Sequence, residues 1–277
     1  PSDIEPTINS WNQVELVHTL EGYSAPVDSL LFSTDGKFLI SGGGKNDPQL
    51  RFWSTENGKE LQKFRAQRTA ILTLAMSPNG STLVSGGEDA GINLWDWQTG
   101  KYRRLFLDHS SNVTSTAITS DSNILVSGSL DGIRVWDLNS GRPLYTLAEI
   151  GNSTSAIAVS PDGKFIASGS PDGKVKFWNL RTGTFISQFF PHQENISGLT
   201  FTNDGKLITA AYDRTVKIWD LTSGKLLNTL SGHRGKIRMI ALNPDNRTLA
   251  SAGNDGVFLW NLDNGELLTQ IGDHLDW

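Results

Sequence analysis

The sequence predicts an all-β fold, an array of repeated four-stranded antiparallel units, and three observations predict it. Six of the nine tryptophans, Trp53, Trp95, Trp136, Trp178, Trp219 and Trp260, recur at intervals of 42, 41, 42, 41 and 41 residues. A period of about 40–50 residues marks units that stack to share one core. A glycine follows each of these tryptophans by five residues: Gly58, Gly100, Gly141, Gly183, Gly224 and Gly265. No stretch keeps a 3.6-residue apolar period, so helix is expected to be almost absent.

Each element of the unit has its own signal. An alternating apolar run opens it, as at residues 71–77 and 237–243. A turn follows, as at Asp35-Gly36, Pro78-Asn79-Gly80, Pro161-Asp162-Gly163 and Asp204-Gly205. Proline presets φ there, Asp or Asn hydrogen-bonds its own backbone, and glycine accepts positive φ. A second run comes next (residues 82–87, 164–169), then a short Asp-containing turn and a third run ending at the tryptophan. The invariantly spaced glycine reverses the chain into a fourth, shorter run such as residues 225–230. The boundaries that follow are a polar tail at 1–10 and one domain over 11–277. Within it lie a lone strand at 11–20, repeats at about 24–64, 67–106, 109–148, 151–190, 192–230 and 233–271, and the start of a further repeat at 272–277.

These residues resemble the WD-repeat β-propeller family over nearly the whole chain from Trp11. The dipeptide that names the family stands at Trp95-Asp96, Trp136-Asp137 and Trp219-Asp220, is relaxed at Trp178-Asn179 and Trp260-Asn261, and is lost at Trp53-Ser54. Its Gly-His pair is intact at Gly232-His233, and His109 and His192 take the same place four residues before a first-strand residue. The resemblance implies a buried network joining that histidine to a second-strand hydroxyl, the turn aspartate and the indole. Three units carry all four members: His109, Ser127, Asp131 and Trp136; His192, Thr209, Asp213 and Trp219; His233, Ser251, Asp255 and Trp260. The others keep Ser41, Asp47 and Trp53; Ser85, Asp89 and Trp95; Ser168, Asp172 and Trp178, with Tyr23, Gln67 and Ile150 in the histidine slot. A buried carboxylate needs partners. Where histidine is missing, looser loops are therefore expected, and Asp213→Ala should cost more than Asp47→Ala. The repeats look most like bacterial, particularly cyanobacterial, members.

Closure is read from the ends of the array. Residues 11–20 resemble a fourth strand without its first three, and Gly272-Asp273-His274 resembles the lead-in to another unit. In this family the N-terminal strand usually completes the last blade, so a seven-bladed ring is favoured, with a six-bladed ring carrying a surplus strand as the alternative.

Composition narrows the function. With 37% hydrophobic and 19% charged residues the chain is globular, and 24 Lys+Arg against 29 Asp+Glu, net charge −5, argues against generic nucleic-acid binding. Without cysteine there is no disulfide and no thiol chemistry. No apolar run reaches the ~18 residues of a membrane span. A cytoplasmic location is favoured, with a removed targeting segment left open. The Ser, His and Asp residues recur with the structural period, so they read as structure and not as hydrolase triads. His18, His109, His192, His233 and His274 have no metal-ligand spacing, and residues 42–45 lack the strand–GxxxxGK[ST]–helix context of a phosphate loop. The expectation is thus no catalytic residue, no metal and no cofactor. The loops before first strands and after second strands vary most between units. Tyr212, Arg214, Arg234, Lys236 and Arg238 gather an aromatic and four cations over the last two units, a composition suited to contact sites. The expected function is a non-catalytic scaffold binding a protein or peptide, an acidic one by the sign of this patch. The alternative is a propeller enzyme or a small-ligand or metal binder using the central channel. The sequence sets no oligomeric state.

Overall fold

A computed structural model describes residues 14–147 and 153–272, and these hold twenty-four strands and no helix. Blade 1 comprises β1 (Val27–Phe32), β2 (Phe38–Gly43), β3 (Gln49–Ser54) and β4 (Glu60–Arg65). Blade 2 comprises β5 (Ile71–Met76), β6 (Leu83–Gly87), β7 (Ile92–Asp96) and β8 (Lys101–Phe106). Blade 3 has β9 (Val113–Ile118), β10 (Ile124–Ser129), β11 (Gly132–Asp137) and β12 (Pro143–Leu147). Blade 4 has β13 (Ala156–Val159), β14 (Phe165–Gly169), β15 (Val175–Asn179) and β16 (Phe185–Phe189). Blade 5 is built from β17 (Ile196–Phe201), β18 (Leu207–Ala211), β19 (Thr215–Asp220) and β20 (Lys225–Ser231). Blade 6 is built from β21 (Ile237–Leu242), β22 (Thr248–Gly253), β23 (Gly256–Asn261) and β24 (Leu267–Ile271).

Every blade is an antiparallel meander in sequence order. The middle strands are buried on both faces and carry runs of apolar and small residues, as in β6 and β18. The outer strands meet water and read as polar, as in β8 and β20. First strands of successive blades lie side by side, β1 on β5 and onward to β17 on β21, which sets the blades radially about a central axis. Five apolar clusters fill the five spaces between consecutive blades. In each, a face of one blade takes the tryptophan face of the next; Trp136, for example, stacks on Phe106 at 4.8 Å.

Among the described residues no such cluster joins blade 6 to blade 1, and β21 makes no comparable contact with β1. Leu30 and Phe32 on blade 1 are 53% and 61% exposed, while Leu199 and Phe201, at the same positions of blade 5, are 9% and 8% exposed. On the facing side of blade 6, Met239 is 45% exposed. The cleft beside blade 1 has a volume of about 640 Å³ and is lined by Val14, Leu16, Phe32, Leu39, Trp53 and Ile271, among others. The described structure therefore has six blades, not the seven favoured from sequence. Residues 14–20, expected as part of a lone strand, form none, because no described strand pairs with them. A strand is held by its ladder, and Val14, Leu16 and Val17 stay exposed outside one. The 1–10 tail, residues 11–13, Ile150 and the lead-in at His274 lie outside the described residues.

Two irregularities recur. Each outer strand carries one extra residue opposite the step into the tryptophan: Leu61, Arg103, Leu144, Ile186, Leu227 and Leu268. Five inner strands carry one just after their first residue: Asp28, Leu72, Thr114, Ser197 and Arg238. Such bulges turn a side chain out of the ladder.

Candidate functional site

The turns between second and third strands are held by the histidine networks. In blade 3, His109 Nδ1 lies 2.7 Å from Asp131 Oδ1, and its Nε2 lies 2.7 Å from Ser127 Oγ, to which Trp136 Nε1 donates at 2.9 Å. Blade 5 repeats this with His192, Asp213, Thr209 and Trp219 at 2.8, 2.8 and 3.2 Å. Blade 6 repeats it with His233, Asp255, Ser251 and Trp260 at 2.7, 2.7 and 2.8 Å. In blades 5 and 6 one proton assignment fits the distances: the indole N–H donates to the hydroxyl, the hydroxyl to Nε2, and Nδ1–H to the carboxylate, whereas in blade 3 the Arg134 guanidinium also meets His109 Nδ1. The hydroxyls of Ser127, Thr209 and Ser251 sit on fully buried residues.

Burial alone would raise the Asp213 carboxyl, but bonds from His192 and Thr215 outweigh it and hold it down at about 2. Asp131 and Asp255 are lowered in the same way, against burial, by the Ser110 and Arg234 backbone N–H groups together with their histidines. His109 is lowered by burial, and the neighbouring Arg134 guanidinium lowers it further.

Blades without histidine solve the same problem differently. Asp47 accepts from Ser24 N at 3.2 Å and from Arg51 Nη2 at 3.1 Å, while Arg51 Nη1 donates to Glu60 at 2.5 Å. Tyr23 lies in the histidine slot, bonds Ser41 Oγ at 2.9 Å, and has its hydroxyl pushed up to about 12 by burial. Arg51 stacks over its ring at 4.5 Å. The looser loop expected here is thus corrected: a buried guanidinium replaces the imidazole. Gln67 fills the slot of blade 2 and bonds Ser85 O, while Asp89 takes backbone donors from Arg68 and Gly91, as expected. Asp172 accepts from Ser170 Oγ and from Lys174. Sequence reasoning missed the residue two before each tryptophan, which lies against the slot residue in blades 1, 2, 3 and 6. Arg51, Asn93, Arg134, Lys176 and Lys217 are polar there in five blades, and Phe258 is the sixth. That polar recurrence in an otherwise apolar strand was the available signal.

Of the five residues singled out on the last two blades, two pairs are in contact, Tyr212 with Lys236 and Arg214 with Arg234. Tyr212 and Arg214 flank Asp213, Arg234 and Lys236 lie between β20 and β21, and Arg238 is the bulged residue of β21. Lys236 Nζ sits 5.0 Å from the Tyr212 ring centre. Arg214 Nη1 donates to Arg234 O at 3.4 Å, and Arg238 Nε to Asn254 Oδ1 at 2.9 Å. The networks anchor this surface, since Asp255 accepts the Arg234 backbone N–H at 2.5 Å. Tyr212 is half-buried with Lys236 over its ring, so it is not the free aromatic platform the sequence suggested. Among the described residues, none of the four cations pairs with a carboxylate. On the inner strand of blade 1, burial and the charge of Glu88 raise the carboxyl of Asp28. A depression of about 650 Å³ between blades 4 and 5 is lined by Asp172, His192, Asp213, Thr215 and Lys217, but His192 and Asp213 are engaged in their network. Among the described residues no group of three or more His, Cys, Asp or Glu is placed to hold a metal ion, and no helix is long and apolar enough to cross a membrane.

Comparison with known proteins agrees with this architecture. Mouse target of rapamycin complex subunit LST8 is 25% identical over 119 residues, 43% of this chain and 36% of that protein. The COMPASS component SWD3 of Saccharomyces cerevisiae is 33% identical over 86 residues, 31% of this chain and 27% of its own length. The periodic tryptophan protein 2 homolog of Caenorhabditis elegans is 28% identical over 117 residues, 42% of this chain but 13% of that protein. The chain thus matches about a third or less of each of these relatives. The family model described as Nucleolar protein 10-like, N-terminal domain, a β-propeller, matches residues 7–276. With that match over a six-fold repeat of Trp, Ser/Thr and Asp, the chain belongs to the WD-repeat β-propellers of the Nucleolar protein 10-like N-terminal domain family.

Proposed function

We propose that this propeller is a non-catalytic scaffold that binds an acidic protein or peptide on its loop face over blades 5 and 6. The observation that carries the reading is the set of Tyr212, Arg214, Arg234, Lys236 and Arg238 on two adjacent blades, whose four cations have no carboxylate partner among the described residues. On a chain of net charge −5, such a patch makes a local positive field that steers acidic partners and weakens with salt. Relatives named as subunits of larger complexes support the scaffold class. The test compares the wild-type protein as bait with Tyr212→Ala/Arg238→Glu and with a control, Lys101→Glu/Arg103→Glu, on the outer strand of blade 2. Proteins held by wild type and control should be lost by the double mutant, with melting temperature unchanged. Equal retention by all three, or equal loss in the control, sinks this site.

A further inference from the structure

In five blades the residue after the turn aspartate has left-handed backbone: Ala90 (φ 61°), Gly132 (117°), Gly173 (81°), Arg214 (72°) and Gly256 (111°). Glycine adopts this conformation freely, and an L side chain is strained by it. At Gly173 and Gly256 a Cβ would also run into the carbonyl oxygens of His192 and Gly272. Blade 5 places an arginine where three sister blades have glycine. Strain kept at an exposed turn points to a use for the side chain. The Arg214 guanidinium reaches the next blade, where Nη1 meets Arg234 O, and its other N–H groups meet no partner among the described residues.

Resting on the docking face proposed above, we propose that Arg214 is the residue that seats a carboxylate of the acidic partner, kept at the expense of fold stability. A guanidinium offers paired N–H donors that match a carboxylate in two parallel bonds. Arg234, Lys236 and Arg238 raise the potential around it, and the Asp213 network fixes the turn from which it projects. Arg214 is the only charged residue among the five left-handed positions.

The test uses the full 277-residue chain and fluorescently labelled hexaglutamate at low salt, read by anisotropy beside thermal melting. Arg214→Gly should weaken binding at least about tenfold while the melting midpoint rises by on the order of 2 °C as strain is released. Ala90→Gly relieves the same strain on blade 2 and should raise the midpoint with affinity unchanged. Arg214→Lys, which keeps the charge and loses the paired donors, should fall between. Arg214→Gly that binds as wild type, or that melts below it, overturns the assignment. Arg238→Glu separates this from the broader reading: loss there with Arg214→Gly unaffected leaves the docking face and removes Arg214 from its centre, whereas wild-type binding in every variant removes both. Hexaglutamate that fails to bind the wild-type chain at low salt overturns the carboxylate as ligand.

Discussion

Asp47 and Asp213 occupy the same turn of their blades and are stabilised by different partners. Asp47 faces Arg51, a side chain 6% exposed whose Nε already has no hydrogen-bond partner. Removing one member of a buried pair costs about 3–5 kcal/mol, because the other charge stays buried alone. Asp213→Ala strands the His192 and Thr215 donors, at about 1–3 kcal/mol. Chemical denaturation should therefore rank Asp47→Ala at least as damaging as Asp213→Ala, the reverse of the order the sequence predicts. A clearly larger loss for Asp213→Ala would mean that Glu60 alone suffices for Arg51. The network histidines were legible because a repeated His, Ser/Thr, Asp and Trp can be aligned by period. Arg51 was harder to read, because the residue at its position changes type from blade to blade and its second partner, Glu60, lies on another strand. The depressed aspartates also set an acid limit. A carboxyl at about 2 in the fold and near 3.9 when unfolded adds stability that is complete above about pH 4 and lost as pH falls toward 2. For Asp213 this is on the order of 1 kcal/mol after solvent screening. Asp131 and Asp255 act in the same direction, so thermal midpoints should drop steeply below about pH 4. A midpoint that rises on acidification through this range would contradict the assignment. His109, lowered by burial and Arg134, adds a shallower loss that begins below about pH 6.5.

Phe32 on β1 and Phe201 on β17 share one position of the inner strand but not one environment. Phe201→Ala should cost about 3–5 kcal/mol, the usual penalty for emptying a packed aromatic site. Phe32→Ala should cost less than about 1 kcal/mol, since the ring already faces water. Equal losses would show that something covers blade 1 in solution. Strand order and turn positions were readable because alternation and Asp-Gly or Asn-Gly turns are local signals. The bulges were not, because the extra Leu61, Leu144 or Leu227 looks like any other strand residue until its partner strand is in register. Residues 14–20 misled for the same reason: their alternation is real, but the described strands offer no edge that takes them.

At the scale of the whole molecule, blades 2 to 5 are packed on both faces and blades 1 and 6 on one. Native-state hydrogen exchange should follow that gradient, with slowest exchange in β6, β10, β14 and β18 and faster exchange in β2 and β22. Uniform protection across the six blades would show that the ring is closed in solution. The recurring outer bulge has a consequence of another kind. Six sheets radiating from one axis present six free margins to solvent, and each margin of unpaired N–H and C=O groups could template a strand from a neighbouring molecule. Because the extra residue falls just inside every margin, no outer strand offers an uninterrupted row of docking points along its length. A rim interrupted in this way at every blade works against edge-to-edge pairing between molecules.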